Sequence, residues 1–385
     1  MVPASACPGS SRLLFLVPLA MILAVLPAPG QEPPGTPTTP AAPPAPKWYD
    51  EIAVNGFLST TYSYNLNRPD SGTNQYRVFD FDDNAFKVDV VTLTLQKAVS
   101  KPGEAGFRVD ADAGASIPRV SASYGMFQGQ DFDLKQAFVS YSVPLGSGLR
   151  VDAGKFLTAF SYEYIESWDT PNDNATRSFM FGYAMPATHT GVKASYSFSD
   201  RLAGMVMVVN GWDNVRDNNS SKSICGQVVW TPTPAVTVTG NAMTGPERTG
   251  VNGDPRTVFE VIVQWKATDR VVLGLDGMTG SEMGAVRAGE TATWNGLTAY
   301  ARLGLTGTFA LCLRGEVFGD PDGARTGRAQ TLKEVTLTPE LKLSTHLLVR
   351  ADLRVDWSDV PVFENKDAGS SKTQPTVLLN AAYSF

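Results

Sequence analysis

The residues best placed to do chemistry are charged and recur at every second position. Arg350, Asp352, Arg354 and Asp356 alternate with Ala351, Leu353, Val355 and Trp357. A strand carrying this pattern puts all four charges on one face. Arg108, Arg150, Arg302 and Arg314 sit in similar settings, between small or apolar neighbours. A second set lies in the unpatterned stretch 161–186: Glu163, Glu166, Asp169 and Asp173, with Arg177 and the aromatics Tyr162, Tyr164, Trp168 and Phe179. Carboxylates facing guanidinium groups do electrostatic work. They set up a local field that orders water and discriminates between charged or dipolar solutes.

Covalent and metal chemistry find less support. His189 and His346 begin separate strand patterns without spaced partners, and Ser195 and Ser344 are their neighbours only in sequence. Nucleophilic catalysis needs a base held beside its nucleophile, so no enzyme and no cofactor are expected. The cluster Asp80, Asp82, Asp83 and Asn84 reads as a divalent-ion site or, more simply, as a solvated turn. Gly250, Gly253, Gly277, Gly280 and Gly284 lie in or near loops and form no nucleotide-binding pattern. Of three cysteines, Cys7 precedes an apolar run, while Cys225 and Cys312 sit inside strand patterns. Two free structural thiols are expected, with no disulfide framework and no CxxC metal site. A net charge of −6 and a pI near 5.1 argue against nucleic-acid binding, which leaves a basic footprint.

The elements that must hold these charges are strands. After residue 48 no stretch sustains helical periodicity, whereas period-two segments recur between Gly, Asn, Asp and Pro. They span 51–64, 85–97, 105–114, 131–143, 148–160, 187–198, 200–211, 222–231, 234–245, 256–267, 270–281, 294–305, 308–318, 330–343, 345–357 and 373–385. About sixteen strands of about ten to fourteen residues match what a tilted strand needs to cross a bilayer. Ordinary globular strands are about half as long. The connections alternate: short links follow even strands, long ones (65–84, 115–130, 161–186, 212–221, 246–255, 282–293, 319–329, 358–372) follow odd strands. A soluble sandwich has no reason to sort its loops by end; a membrane barrel has short turns on one side and long loops on the other. The alternation blurs around Val90 to Leu95 and Leu134 to Ala137, where a bulge or a slipped boundary is expected. Trp48, Tyr62, Tyr64, Tyr141, Trp212, Trp230, Trp357 and Tyr383 near strand ends suit interfacial girdles.

Composition fits this reading. Only 18% of residues are charged, and a mean hydropathy of −0.10 suits strands that alternate apolar-out with polar-in. At the front, Arg12, the apolar run Leu13 to Leu26 and the small residues Ala28 and Gly30 have the order of an export signal peptide, residues 1–30. Residues 31–47 form a Pro/Thr/Ala-rich linker, and 48–385 the barrel.

The last strand puts Val377, Leu379, Ala381, Tyr383 and Phe385 on one face, with Leu378 the misfit on the other. A chain ending so resembles the closing strand of bacterial outer-membrane barrels. Together with Val54-Asn55-Gly56-Phe57, Asp152-Ala153-Gly154-Lys155-Phe156 and Leu348 to Arg354, the chain from Trp48 to Phe385 resembles Gram-negative outer-membrane porins of the OmpL-like β-barrel group. The resemblance implies an all-β, antiparallel up-and-down barrel of about sixteen strands in the outer membrane, surrounded by lipid and lipopolysaccharide. It implies passive diffusion of small hydrophilic solutes, often through homotrimers, and recognition of Phe385 by the barrel-assembly machinery. In such porins the loop after the fifth strand folds inward. Glu163, Glu166, Asp169, Asp173 and Arg177 would then face Arg108, Arg150, Arg302, Arg314, Arg350, Asp352 and Arg354 across a constriction. Ion selectivity stays open between the arginine-rich wall and the acidic loop. The alternative is an adhesin or structural barrel without an open channel.

Overall fold

Period-two patterning becomes sixteen antiparallel strands, each bonded to the next and the last to the first. The computed structural model describes residues Lys47–Phe385. The expected signal peptide and all of the linker but Lys47 lie outside the described residues. The strands are β1 (Ala53–Asn65), β2 (Ala85–Lys97), β3 (Ala105–Ala113), β4 (Phe132–Val143), β5 (Leu149–Leu157), β6 (Thr188–Ser199), β7 (Leu202–Val209) and β8 (Ser223–Thr233). They continue with β9 (Val236–Pro246), β10 (Pro255–Lys266), β11 (Val271–Met283), β12 (Thr291–Gly304), β13 (Phe309–Asp320), β14 (Gln330–Lys342), β15 (Leu347–Ser358) and β16 (Thr373–Ser384). Closure leaves no edge, as a bilayer requires of a sheet.

The seam joins β1 to β16, from Phe57 opposite Ser384 to Asn65 opposite Thr376. Phe385 extends it by a reciprocal backbone pair with Gly56, 2.9 and 3.0 Å long. Gly56 leaves room there for the Phe385 ring, which would overlap any Cβ at that position. Leu378 points inward and is 2% exposed, while Leu379 and Tyr383 face outward.

Both blurred segments are bulges. The β1–β2 register skips Asp89, and the β3–β4 register skips Lys135. An extra residue lets two neighbours share a face: Asp89 and Val90 are both buried inside, as are Lys135 and Gln136. In β5 the motif quoted above has a similar effect. Gly154 adopts φ +139°, and a Cβ there would lie 2.3 Å from the Ala137 carbonyl oxygen. Lys155 and Phe156 after it are both buried.

Three expectations need correction. Strand β5 ends at Leu157 instead of residue 160, because the chain leaves the wall there: Thr158 N–H bonds Ala187 O at 3.0 Å and pinches the base of the next loop. Strand β7 has only eight residues. An eight-residue helix, α1 (Ile117–Tyr124), forms in the second long loop. Ile117, Val120, Ser121 and Tyr124 are its buried face and Pro118 lies in its first turn, a pattern too short to register as sustained periodicity. The eighth loop carries a two-residue ladder, Phe363–Glu364 with Ser370–Ser371.

Candidate functional site: the barrel lumen

The third long loop (L3, residues 158–187) folds into the barrel and is fixed by wall side chains that receive its N–H groups and carboxylates. Ser161 N–H donates to both Glu260 oxygens (2.9 and 3.1 Å), and Tyr162 N–H to Asp276 (3.1 Å). Glu163 accepts from Arg314 at 2.7 Å and from Ser178 N–H at 2.9 Å, tying the two limbs of L3 together. Glu166 receives both terminal nitrogens of Arg350, at 2.9 and 3.0 Å. Asp352 accepts from Thr176 N–H (2.7 Å) and hydroxyl (2.8 Å), and Glu316 from Phe179 and Met180 N–H, both at 2.6 Å. These are charge-assisted bonds, stronger than neutral ones.

Two further pairs tie L3 to β12 and to β3. Arg302 on β12 donates to Asp173 at 2.8 Å, and Arg108 on β3 grips Asp169, its Nη2 at 3.0 Å. The four loop acids of the sequence reading thus meet four of its wall arginines in direct contact. No gap separates these pairs, so the expected open rows of opposed charge are replaced by bonded pairs. Arg177 pairs within L3 and packs on the first loop: it bonds Tyr164 O at 3.0 Å, reaches Glu166 at 3.4 Å and lies over the Phe181 ring of L3 and the Phe79 ring of the first loop. Arg354 does not take a loop carboxylate. It bonds Asp356 at 2.6 Å and the carbonyl of Arg177, and lies over Phe179.

Electrostatics follow from this pairing. Burial opposes the charge of Glu166, yet Arg350 and Arg177 hold its carboxyl below the ordinary range. Burial prevails at Asp173 and raises it, against the pull of Arg302. At the root of L3, Asp213 Oδ1 accepts from Ala187 N–H (2.7 Å) and Thr188 N–H (2.8 Å). Burial pushes the Asp213 carboxyl up to about 6.

Arg150 is the wall arginine left apart. It bonds Asp152 at 2.8 Å, and Asp152 also takes Lys193 at 3.2 Å, a partner absent from the sequence reading. The Arg150 side chain is 44% exposed and that of Lys193 22%, whereas those of Arg314, Arg350 and Arg354 are fully covered. Arg150 and Lys193 line a cavity of about 780 Å³ between L3 and strands β5 to β10, with Ser195, Gln227, Thr239 and Gln264. Tyr162, stacked on Tyr300 at 4.2 Å, forms part of its loop side.

The long-loop end of the lumen departs from a polar interior. Inward-facing Met207, Val209, Cys225, Met243, Val258, Met278, Trp294, Phe318 and Leu332 pack with Phe179, Met180 and Phe181 of L3 and with α1 into one apolar cluster. Trp212 belongs to this cluster and is 7% exposed, so it is no girdle residue. Trp230, Trp357, Tyr141 and Tyr383 do face outward. The acids of the first loop are separately engaged. Asp80 pairs with Arg77, Asp82 with Lys87, and Asp83 accepts from Asn65 N–H. The metal-type trio among the described residues, Asp173, Cys312 and Glu340, surrounds the Arg302 guanidinium, which bonds all three.

The inward signal that sequence reading passed over lies in the strand carboxylates. Glu260, Asp276 and Glu316 stood at polar-face positions. Only the fold reveals that they accept loop N–H groups.

A closed sixteen-stranded barrel with its longest loop folded into the lumen is the architecture of an outer-membrane porin. The chain belongs to the family described as "Putative beta-barrel porin-2, OmpL-like", whose model matches residues 51–385. No curated protein matches it in sequence. Its fold is similar to OmpF of Salmonella typhi in complex with daunomycin (10% identity, 88% of this chain and 99% of that one, TM-score 0.59). It is also similar to the anion-selective porin of Comamonas acidovorans (14%, 87% and 99%, TM-score 0.56). The trimer form of Vibrio cholerae OmpT is a third likeness (13%, 87% and 99%, TM-score 0.54).

Proposed function

We propose that this outer-membrane porin conducts small hydrophilic solutes passively along the β5–β10 side of its lumen. The observation that carries the reading is the lopsided seating of L3. Its anchors fall mainly on β10 to β15, while the 780 Å³ cavity lies against β5 to β10. Hydroxyl and amide groups there replace a solute's hydration shell; Arg150 and Lys193 put positive charge on the wall side beside Asp152, and Asp173 puts a carboxylate on the loop side. Glu163, Glu166, Asp169 and Asp173 act as anchors that set the width of the path, with Arg314, Arg350, Arg108 and Arg302 as their holders. Anions are the solutes favoured along the wall at Arg150 and Lys193. Planar-bilayer recording of purified protein tests this: stepwise ohmic openings with an anion-biased reversal potential are expected. Neutralising Arg150 and Lys193 together should move that potential toward cations. A folded barrel that stays silent overturns the channel.

The apolar cluster at the long-loop end favours a second reading, a barrel closed by L3 that works through its external surface. Silence in the bilayer with intact heat-modifiable migration is its outcome. A homotrimer is the assembly we expect, on the family and on the trimer form of the Vibrio protein. Export by residues 1–30 and delivery through Phe385 complete the proposal.

A further inference from the structure

Outward positions inside the sixteen strands carry no Asp or Glu among the described residues, and two cations break the apolar surface: Lys97, paired with Glu51 at the short-turn end of β2, and Lys333 on β14 toward the long loops. Lys333 is exposed and makes no ion pair or hydrogen bond among the described residues. Its rung runs Leu297, Val317, Lys333, Trp357 across β12 to β15. One step toward the long loops the surface turns polar, with Thr331 N–H on Asp359 at 2.8 Å. Lys333 and Trp357 therefore stand at the outer boundary of the lipid belt, at headgroup level.

Just below them the surface is hollow. Ala299 faces Gly315, and Gly315 faces Val335. Two adjoining hollows of about 400 and 380 Å³ share these three residues and are flanked by Leu273, Leu313, Val317 and Trp357. Gly315 has no internal reason to be glycine. Its φ is negative, and a Cβ there would meet nothing nearer than the Glu334 carbonyl oxygen at 4.0 Å. Glycine inside a strand forfeits packing and often marks close approach by another molecule.

We propose that this is a binding site for a phosphorylated acyl lipid of the external leaflet. The lipid phosphate meets Lys333, its headgroup edge lies against Trp357, and an acyl chain occupies the hollow over Ala299 and Gly315. Charge complementarity selects the lipid over a second copy of the barrel. A neighbouring barrel has no outward strand carboxylate to offer, and would bury Lys333 unpaired. A lipid phosphate supplies the missing anion.

The test uses the full barrel in detergent with bisphosphorylated lipid A and, separately, its dephosphorylated form, counting bound lipid by native mass spectrometry. The protein should hold the phosphorylated form about tenfold more tightly. K333Q should erase that preference. G315L, which the open space lets fold, should weaken both forms, and conductance and heat-modifiable migration should stay unchanged in both variants. Equal binding of the two lipids by the unsubstituted protein overturns the phosphate contact. If G315L changes the oligomer mass and leaves lipid binding intact, the hollow is a contact between copies and the proposal fails.

Discussion

At Asp213 a single carboxyl holds two backbone N–H groups at the base of L3 while burial works against its charge. Its folded value of about 6 stands above the ordinary 3.8. The fold therefore favours the protonated form: there is no penalty below about pH 4, and a growing one as pH rises to about 6, worth up to about 3 kcal/mol. D213N keeps an oxygen for both N–H groups without the charge. We expect it to be at least as stable as the parent at pH 7.5 and to lose the decline between pH 4 and 6. Unfolding in detergent across that range checks this, and a retained slope would assign the titration elsewhere. Arg314 is a different case, since Glu163 and Glu334 both depend on it. R314M strands two covered carboxylates at a cost of about 3–5 kcal/mol. Its midpoint of denaturation should fall accordingly, whereas R150M, half in water, should cost under about 1 kcal/mol.

In the proposed channel, L3 is the element on which conduction turns. Its position is set by side chain to backbone bonds from Glu260, Asp276, Glu316 and Asp352 as much as by its own acids. Loosening two pins, with R350Q and D352N together, should leave the strands closed and let L3 move toward the β5–β10 cavity. Single-channel current should become noisier and its mean conductance should change. An identical trace would mean that L3 does not border the path. Much of this element was legible in advance: its length, its acids and their arginine partners stood in the sequence. What could not be read was distance, because period two gives the face of a residue but not how far a loop reaches toward it. The apolar cluster was hidden for a related reason. Met207, Met243 and Phe318 lie at the loop ends of strands, where apolar residues on both faces look like poor alternation until a loop is packed on them. Helix α1 was hidden by its shortness, two turns inside a long loop.

For the whole molecule the decisive event is closure. All fifteen neighbouring pairs that follow chain order join through turns or loops; the remaining pair, β1 with β16, brings together the two ends of the barrel sequence. The strand count and the sorting of loops were readable from spacing, since both are one-dimensional, but the seam's register needed the fold. Its last rung is Phe385 with Gly56, while the His346 ring holds Ser384 O at 2.7 Å from the β15 side. Deleting Phe385 removes two backbone bonds and bares Gly56, which the ring covers. The rest of the ladder, Phe57 to Asn65 against Thr376 to Ser384, keeps its partners. A purely structural role thus predicts a small loss, about 1–3 kcal/mol for two bonds and one covered glycine. Barrels refolded in detergent without Phe385 should accordingly close with near-parental yield and melt slightly lower. If Phe385 also acts as the proposed assembly signal, the same deletion in cells should sharply lower the assembled fraction and leave unfolded chain in the periplasm. Equal losses in both settings would make Phe385 a structural residue of the seam; a loss confined to cells would make it an assembly signal.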